Sequence, residues 1–156
     1  MQLAARTCSG ALFMALLVVG SAEGASAREV RLRASFEETA HPTSTDLNGD
    51  GETGSFVFGQ GRSNFGPVTD ETYLEFVPFD GVSTCGPTHV ELVYRMVEKV
   101  MRFLDGSRLF MANFSGTLCF SWADGSVTSQ GSVKVIGGTG RFKGATGQLS
   151  YELTSP

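Results

Sequence analysis

Downstream of residue 28, apolar and polar residues alternate with a period of two, and no segment there sustains a 3.6-residue apolar period. Val30–Glu37 is the cleanest run, with Val30, Leu32, Ala34 and Phe36 on one side and Arg31, Arg33, Ser35 and Glu37 on the other. Such alternation marks a strand packed on one face and wet on the other. Further strands are predicted over Ser55–Phe58, Thr72–Phe79, Thr88–Val97, Lys99–Leu104, Arg108–Phe114, Thr117–Trp122, Val127–Ile136 and Gln148–Thr154. Asp105-Gly106 and Asp124-Gly125 fall between such runs and suit the positive φ of tight hairpin turns; Asp80-Gly81 marks a third turn. Strands every 8–12 residues without βαβ alternation predict an all-β chain, an antiparallel β-barrel of about eight strands over residues 28–156. Closure removes the exposed edges that so small a sheet would otherwise present.

Residues 1–27 have a different pattern. Arg6 precedes the apolar run Ala11–Val19, which is shorter than the roughly 20 residues a membrane span needs. Ala25-Ser26-Ala27 then offers an A-x-A cleavage site. This is the order of a secretory signal peptide, so the mature chain is expected to begin at Arg28 and to be secreted or periplasmic, with no membrane span after cleavage. Cys8 would leave with the leader. Of the 3 cysteines, Cys85 and Cys119 remain, an even count that in an oxidising compartment reads as one disulfide.

Composition narrows the function classes. Charged residues are 18% of the chain and the formal charge is −4, so no basic face for nucleic acid is expected. The 12 Phe, 3 Tyr and single Trp supply bulk for an interior. Leu92 and Tyr94 on one face of their strand, with Val93 and Val97 on the other, fit a homo-oligomer contact and equally a barrel core.

Two motifs stand out. In Asp46-Leu47-Asn48-Gly49-Asp50-Gly51-Glu52, oxygen-bearing side chains at positions 1, 3 and 5 and Gly at 6 match the first half of an EF-hand calcium loop. Asp46, Asn48, Asp50 and Glu52 are the candidate ligands. Val57 stands where the closing bidentate Glu belongs and strand-like segments flank the loop, so weak calcium binding and a plain Asx-rich turn are both open. The second stretch, Ile136–Gly147, is neither a dinucleotide fingerprint nor a P-loop, because its glycine spacing is wrong and a strand follows it. It reads as a close-packed strand–turn–strand with Phe142 as an apolar plug.

The run Val135-Ile136-Gly137-Gly138-Thr139-Gly140-Arg141-Phe142-Lys143-Gly144-Ala145-Thr146-Gly147 resembles the late hairpin of the allene oxide cyclase/dirigent-type barrel superfamily. With Asp46–Gly51 and Ser63-Asn64-Phe65-Gly66 it is more closely similar to small exported proteins of unassigned function. The resemblance implies an eight-stranded antiparallel barrel with an apolar interior, often dimeric or trimeric. The named families cyclise an unsaturated fatty-acid epoxide or steer the radical coupling of phenols. The matched hairpin carries none of their catalytic residues, and fold alone transfers no activity.

Independent signs of catalysis are sparse. The sequence has no G-x-S-x-G elbow and no metal-spaced histidine cluster; His41, before Pro42, reads as a surface loop residue. Glu75 lines the interior if the Tyr73 and Val77 face points inward, and is an exposed charge if Leu74 and Phe76 do; the exposed placement is expected. Glu91 and Arg95 read as a surface pair of small worth, and Asn113-Phe114-Ser115 as a glycosylation acceptor only in a eukaryotic secretory route. The sequence therefore supports three expectations: a non-catalytic barrel binding a small apolar ligand or serving a structural role, an enzyme of the cyclase or dirigent kind acting in the same cavity, and a calcium-stabilised structural protein. The intact mass of exported protein is expected to match residues 28–156 with Cys85 and Cys119 oxidised. A mass that includes Met1 contradicts the leader.

Overall fold

The computed structural model describes residues 6–19, 28–46, 49, 51 and 53–155. Its strands are β1 (Arg6–Val19), β2 (Arg28–Pro42), β3 (Ser55–Ser63), β4 (Gly66–Pro78), β5 (His89–Phe103), β6 (Arg108–Ser121), β7 (Val127–Thr139) and β8 (Ala145–Ser155), with one 3-10 turn, Gly140–Phe142. Each strand pairs antiparallel with the next, and β1 pairs with both β2 and β8, so the sheet closes into a barrel. The expected all-β antiparallel barrel is the observed architecture.

Several boundaries differ from the sequence pattern for physical reasons. The runs 88–97 and 99–104 are one strand, β5, and the runs 108–114 and 117–122 are one strand, β6. What looked like breaks are irregularities: the β5–β6 ladder passes from Val93↔Thr117 to Glu98↔Ala112, and Asn113 takes φ 56°. Such bulges add twist without ending a strand. β3 runs on through Gly59 and Gly61, residues that resemble a turn in sequence. Residues 6–19, read above as part of the leader, form β1; residues 1–5 and 20–27, with the cleavage site, lie outside the described residues. Leader and strand are two readings of one apolar segment, and removing it would leave β2 and β8 without their shared neighbour.

The two ends of the barrel are unlike. Among the described residues, the lower-end hairpins are short: residues 64–65 join β3 to β4, and Asp105-Gly106 turns tightly with Gly106 at φ 82°, while Asp124-Gly125, with Gly125 at 77°, makes the tight turn at the upper end. Phe142, 1% exposed, closes the lower end and packs its ring 4.6 Å from Phe103 and 5.6 Å from Phe65. A Cβ at Gly138 would lie 2.6 Å from the Arg108 carbonyl oxygen and 2.7 Å from Phe142 Cβ, so the plug needs glycine there. At the upper end, residues 43–54 and 79–88 make longer connections. The Cys85–Cys119 disulfide forms as expected, with Cα atoms 5.5 Å apart and the two cysteines 34 positions apart in sequence, and it ties the second connection to β6. Closing a loop of that length contributes roughly 4 kcal/mol on chain-entropy grounds.

Phe142→Ala is expected to cost about 3–5 kcal/mol in chemical denaturation, since it empties a sealed site. Phe58→Ala removes a half-exposed ring from the outer face and is expected to stay within about 1 kcal/mol.

Candidate functional site

Along the inner face of the barrel the apolar positions are interrupted at one level. On β2 the inward sequence is Leu32, Ala34, Phe36 and then Glu38; on β4 it is Val68, then Asp70 and Thr72, then Leu74; on β5, Lys99 precedes Met101 and Phe103. Glu38, Asp70 and Lys99 are 7%, 1% and 2% exposed. Lys99 Nζ donates to Glu38 Oε1 at 3.0 Å and pairs with Asp70 Oδ2, which also accepts from the Thr72 hydroxyl at 3.2 Å. The ammonium lies 5.3 Å from the centre of the Phe36 ring. On the outer face of the same pair of strands, Glu71 and Arg102 meet in solvent at 2.7 Å, where such a pair contributes little.

Burial and charge shift these groups in opposed ways. Burial pushes the Asp70 carboxyl up, Lys99 pulls it back, and the net effect raises it from 3.8 to about 6. Burial works to lower Lys99, but the charges of Glu38 and then Asp70 outweigh it and hold the ammonium above its usual value. Asp70 Oδ1 is buried and has no hydrogen-bond partner among the described residues. It projects toward Gly59, its partner across the β3–β4 ladder, where a Cβ would collide with it.

Above this layer lie Val57 and Leu74, with Ala40, Phe76, Tyr94 and Phe114 packed on them but only half buried. Tyr94 and Phe114 also touch the main core, and their rings lie 5.8 Å apart. The Ser129 hydroxyl donates its one proton to the Thr117 carbonyl at 2.7 Å, so the Tyr94 hydroxyl, 2.6 Å away, donates to Ser129. Burial, then the neighbouring Tyr151, raises the Tyr94 phenol well above its ordinary value, and it stays protonated. The interior is thus layered like a cup: a phenylalanine seal below, a charged layer, and a half-buried aromatic layer above. A separate open cavity of about 760 Å³ lies along β6–β8, lined by Gly116, Gly131, Gln130, Glu152 and neighbours. Gln130 and Glu152 point outward, so this cavity belongs mainly to the outer wall and not to the charged layer.

The residues singled out from sequence fare unequally. Asp46 Oδ1 and Oδ2 accept the amides of Gly49 and Gly51 at 2.6 and 2.8 Å, the closure expected of an Asx-rich turn. Asn48, Asp50 and Glu52 lie outside the described residues. Among the described residues no group of three metal-ligating side chains converges. Glu75 corrects the expectation of exposure: Leu74 does face inward, yet Glu75 is 0% exposed. Tyr73 beside it is buried on the outer face, its hydroxyl 2.8 Å from both Glu75 Oε1 and the Thr45 carbonyl of the 43–54 connection. Glu91 is likewise buried, and it accepts the Thr84 amide at 2.7 Å, so it orders the 79–88 connection and is not a surface charge. His41 is exposed but sits in β2, its ring 5.9 Å from Phe58.

Glu38, Asp70 and Lys99 were missed because strand patterning treats a charge as an outward position. The signal was present as phase: each charge falls in step with the apolar inward residues of its own strand.

No family model matches the sequence, and no curated protein matches it. The chain is similar in structure to DynF from the dynemicin biosynthesis pathway of Micromonospora chersina, at 14% identity and a TM-score of 0.45, over 96% of this chain and 79% of that one. A likeness that distant carries no statement about function.

Because Asp70 binds its proton more tightly in the folded chain, its stabilising contribution is full below about pH 4 and is lost as pH rises through about 6. Relative to Asp70→Asn, which mimics the protonated acid, the wild type is expected to lose about 3 kcal/mol between pH 4 and 7 in urea melts. Equal pH dependence in the two proteins contradicts the placement of Asp70.

Proposed function

We propose that this chain is an exported barrel that takes a small, largely apolar molecule into the upper half of its interior. The observation that carries this reading is the asymmetry of the cup: Phe142 and Phe103 are sealed below, while Phe76, Tyr94 and Phe114 are half exposed above a buried charged floor. A barrel needing only stability would fill that floor with apolar side chains, since a buried ion cluster is weak evidence for stability and its apolar replacement is often neutral or stabilising. Apolar walls with a few convergent polar groups are the usual composition of a ligand pocket. The disulfide supports export to an oxidising compartment. Export by the leader route removes β1, and β2 and β8, each antiparallel to it, could then pair only as parallel neighbours. Glu38, Asp70 and Lys99 reside on β2, β4 and β5, and Asp70 and Lys99 stand well away from that seam.

A second reading, a cyclase or dirigent-like enzyme using the same cup, is favoured by one observation. A buried carboxyl pushed up to about 6 beside an ammonium exchanges a proton near neutral pH. Asp70 would be its acid–base group.

Titration with N-phenyl-1-naphthylamine, a neutral fluorescent probe, is expected to show saturable binding of one probe per chain. Leu74→Trp, which fills the rim, is expected to abolish it without loss of the folded melt. Absence of saturable binding to the wild type contradicts the ligand reading. A bound natural molecule recovered unaltered by NMR favours binding over the enzyme; its conversion favours the enzyme.

A further inference from the structure

We propose that the molecule this cup accepts presents a hydrogen-bond donor at its buried end, a hydroxyl or a protonated amine on an apolar body, and that Asp70 Oδ1 receives it. The inference rests on the ligand reading above and specifies the chemistry of that site. Its basis is a count of donors against acceptors. Lys99 meets one oxygen of Glu38 and one of Asp70, and Thr72 gives its proton to that same Asp70 oxygen. The other Asp70 oxygen is buried and receives no donor among the described residues, and the Glu38 carboxyl beside Asp70 is a second acceptor that brings no proton once both are ionised. An acceptor left in that state costs on the order of a full desolvation penalty, which a donor brought by a ligand would offset.

Shape agrees with the count. Gly59 stands opposite Asp70 in the β3–β4 ladder, and a Cβ there would collide with Oδ1 and lie 3.1 Å from Glu38 Cγ. Any side chain at that position would displace the carboxylate oxygen, so glycine is what keeps Oδ1 in place and bare. Glycine within a strand commonly marks such a close approach. Charge agrees as well. Two carboxylates share one ammonium, so with both ionised the layer is net negative and repels a third carboxylate. A site with a fixed unpaired acceptor discriminates by the partner the wrong ligand fails to supply.

The test uses three ten-carbon compounds below their aggregation concentrations, 1-decanol, decylamine and decanoate, each displacing N-phenyl-1-naphthylamine from the protein as it is exported, at pH 7.5. Decanol and decylamine are expected to displace the probe at concentrations at least about tenfold lower than decanoate, in line with the worth of one charge-assisted hydrogen bond. In Asp70→Asn the amide oxygen keeps the Lys99 contact and the NH₂ group takes the place of Oδ1. That variant is expected to bring decanoate to parity with decylamine or ahead of it. Gly59→Ala, whose Cβ displaces Oδ1, is expected to erase the preference as well, and stands in should Asp70→Asn fail to fold. Decanoate equal to or better than decylamine on the wild type overturns the donor-end inference while the ligand reading survives. An unchanged order in the folded variants overturns the role of Asp70. Failure of the probe to bind at all overturns the ligand reading and this inference with it.

Discussion

The interior of this barrel is organised around one ammonium group held between two carboxylates, with Lys99 from β5 reaching Glu38 on β2 and Asp70 on β4. Removing ions from water costs several kcal/mol each, and the pairing returns that only when geometry and hydrogen bonding are good. Here the geometry requires strands that are distant in sequence to stand at one height, so the charged layer depends on barrel closure. The layer also divides the interior. Below it, Phe65, Phe103 and Phe142 pack edge to face or tilted and exclude solvent; above it, aromatic side chains are only half covered.

The same division separates two kinds of construction. The lower end is built for stability, with short hairpins, the 3-10 turn that inserts Phe142, and the Arg141–Asp105 contact beside it. The upper end bears the two long connections, each anchored by a buried carboxylate: Glu75 beneath residues 43–54 through Tyr73 and Thr45, and Glu91 beneath residues 79–88 through Thr84. The disulfide at Cys85 adds a covalent tie to the second of these. Loops positioned by a rigid scaffold around an open end are where small barrels place recognition.

Much of this was legible in the alternation of residues. The strand class, the Asp-Gly turns, the Phe142 plug and the cysteine pair all follow from local rules that the tertiary structure obeys. What was not legible depends on neighbours supplied by distant segments. Asp70 lies in Gly66–Glu71, a stretch too polar to read as a strand until β3 and β5 flank it. Glu75 and Glu91 look like outward charges on their own strands and are buried only because connections fold over them. Residues 6–19 satisfy the composition of a leader and of a strand at once, and composition cannot separate the two.

On the proposed ligand reading, the charged layer is maintained for what it binds and not for the stability it confers. The triple replacement Glu38→Met, Asp70→Leu, Lys99→Met tests it directly, with thermal melting and N-phenyl-1-naphthylamine titration on the same sample. The account predicts a barrel that melts at the wild-type temperature or above and shows altered discrimination among donor-ended and carboxylate-ended competitors of the probe. A protein that no longer folds, or one that folds and discriminates among them as the wild type does, would contradict it.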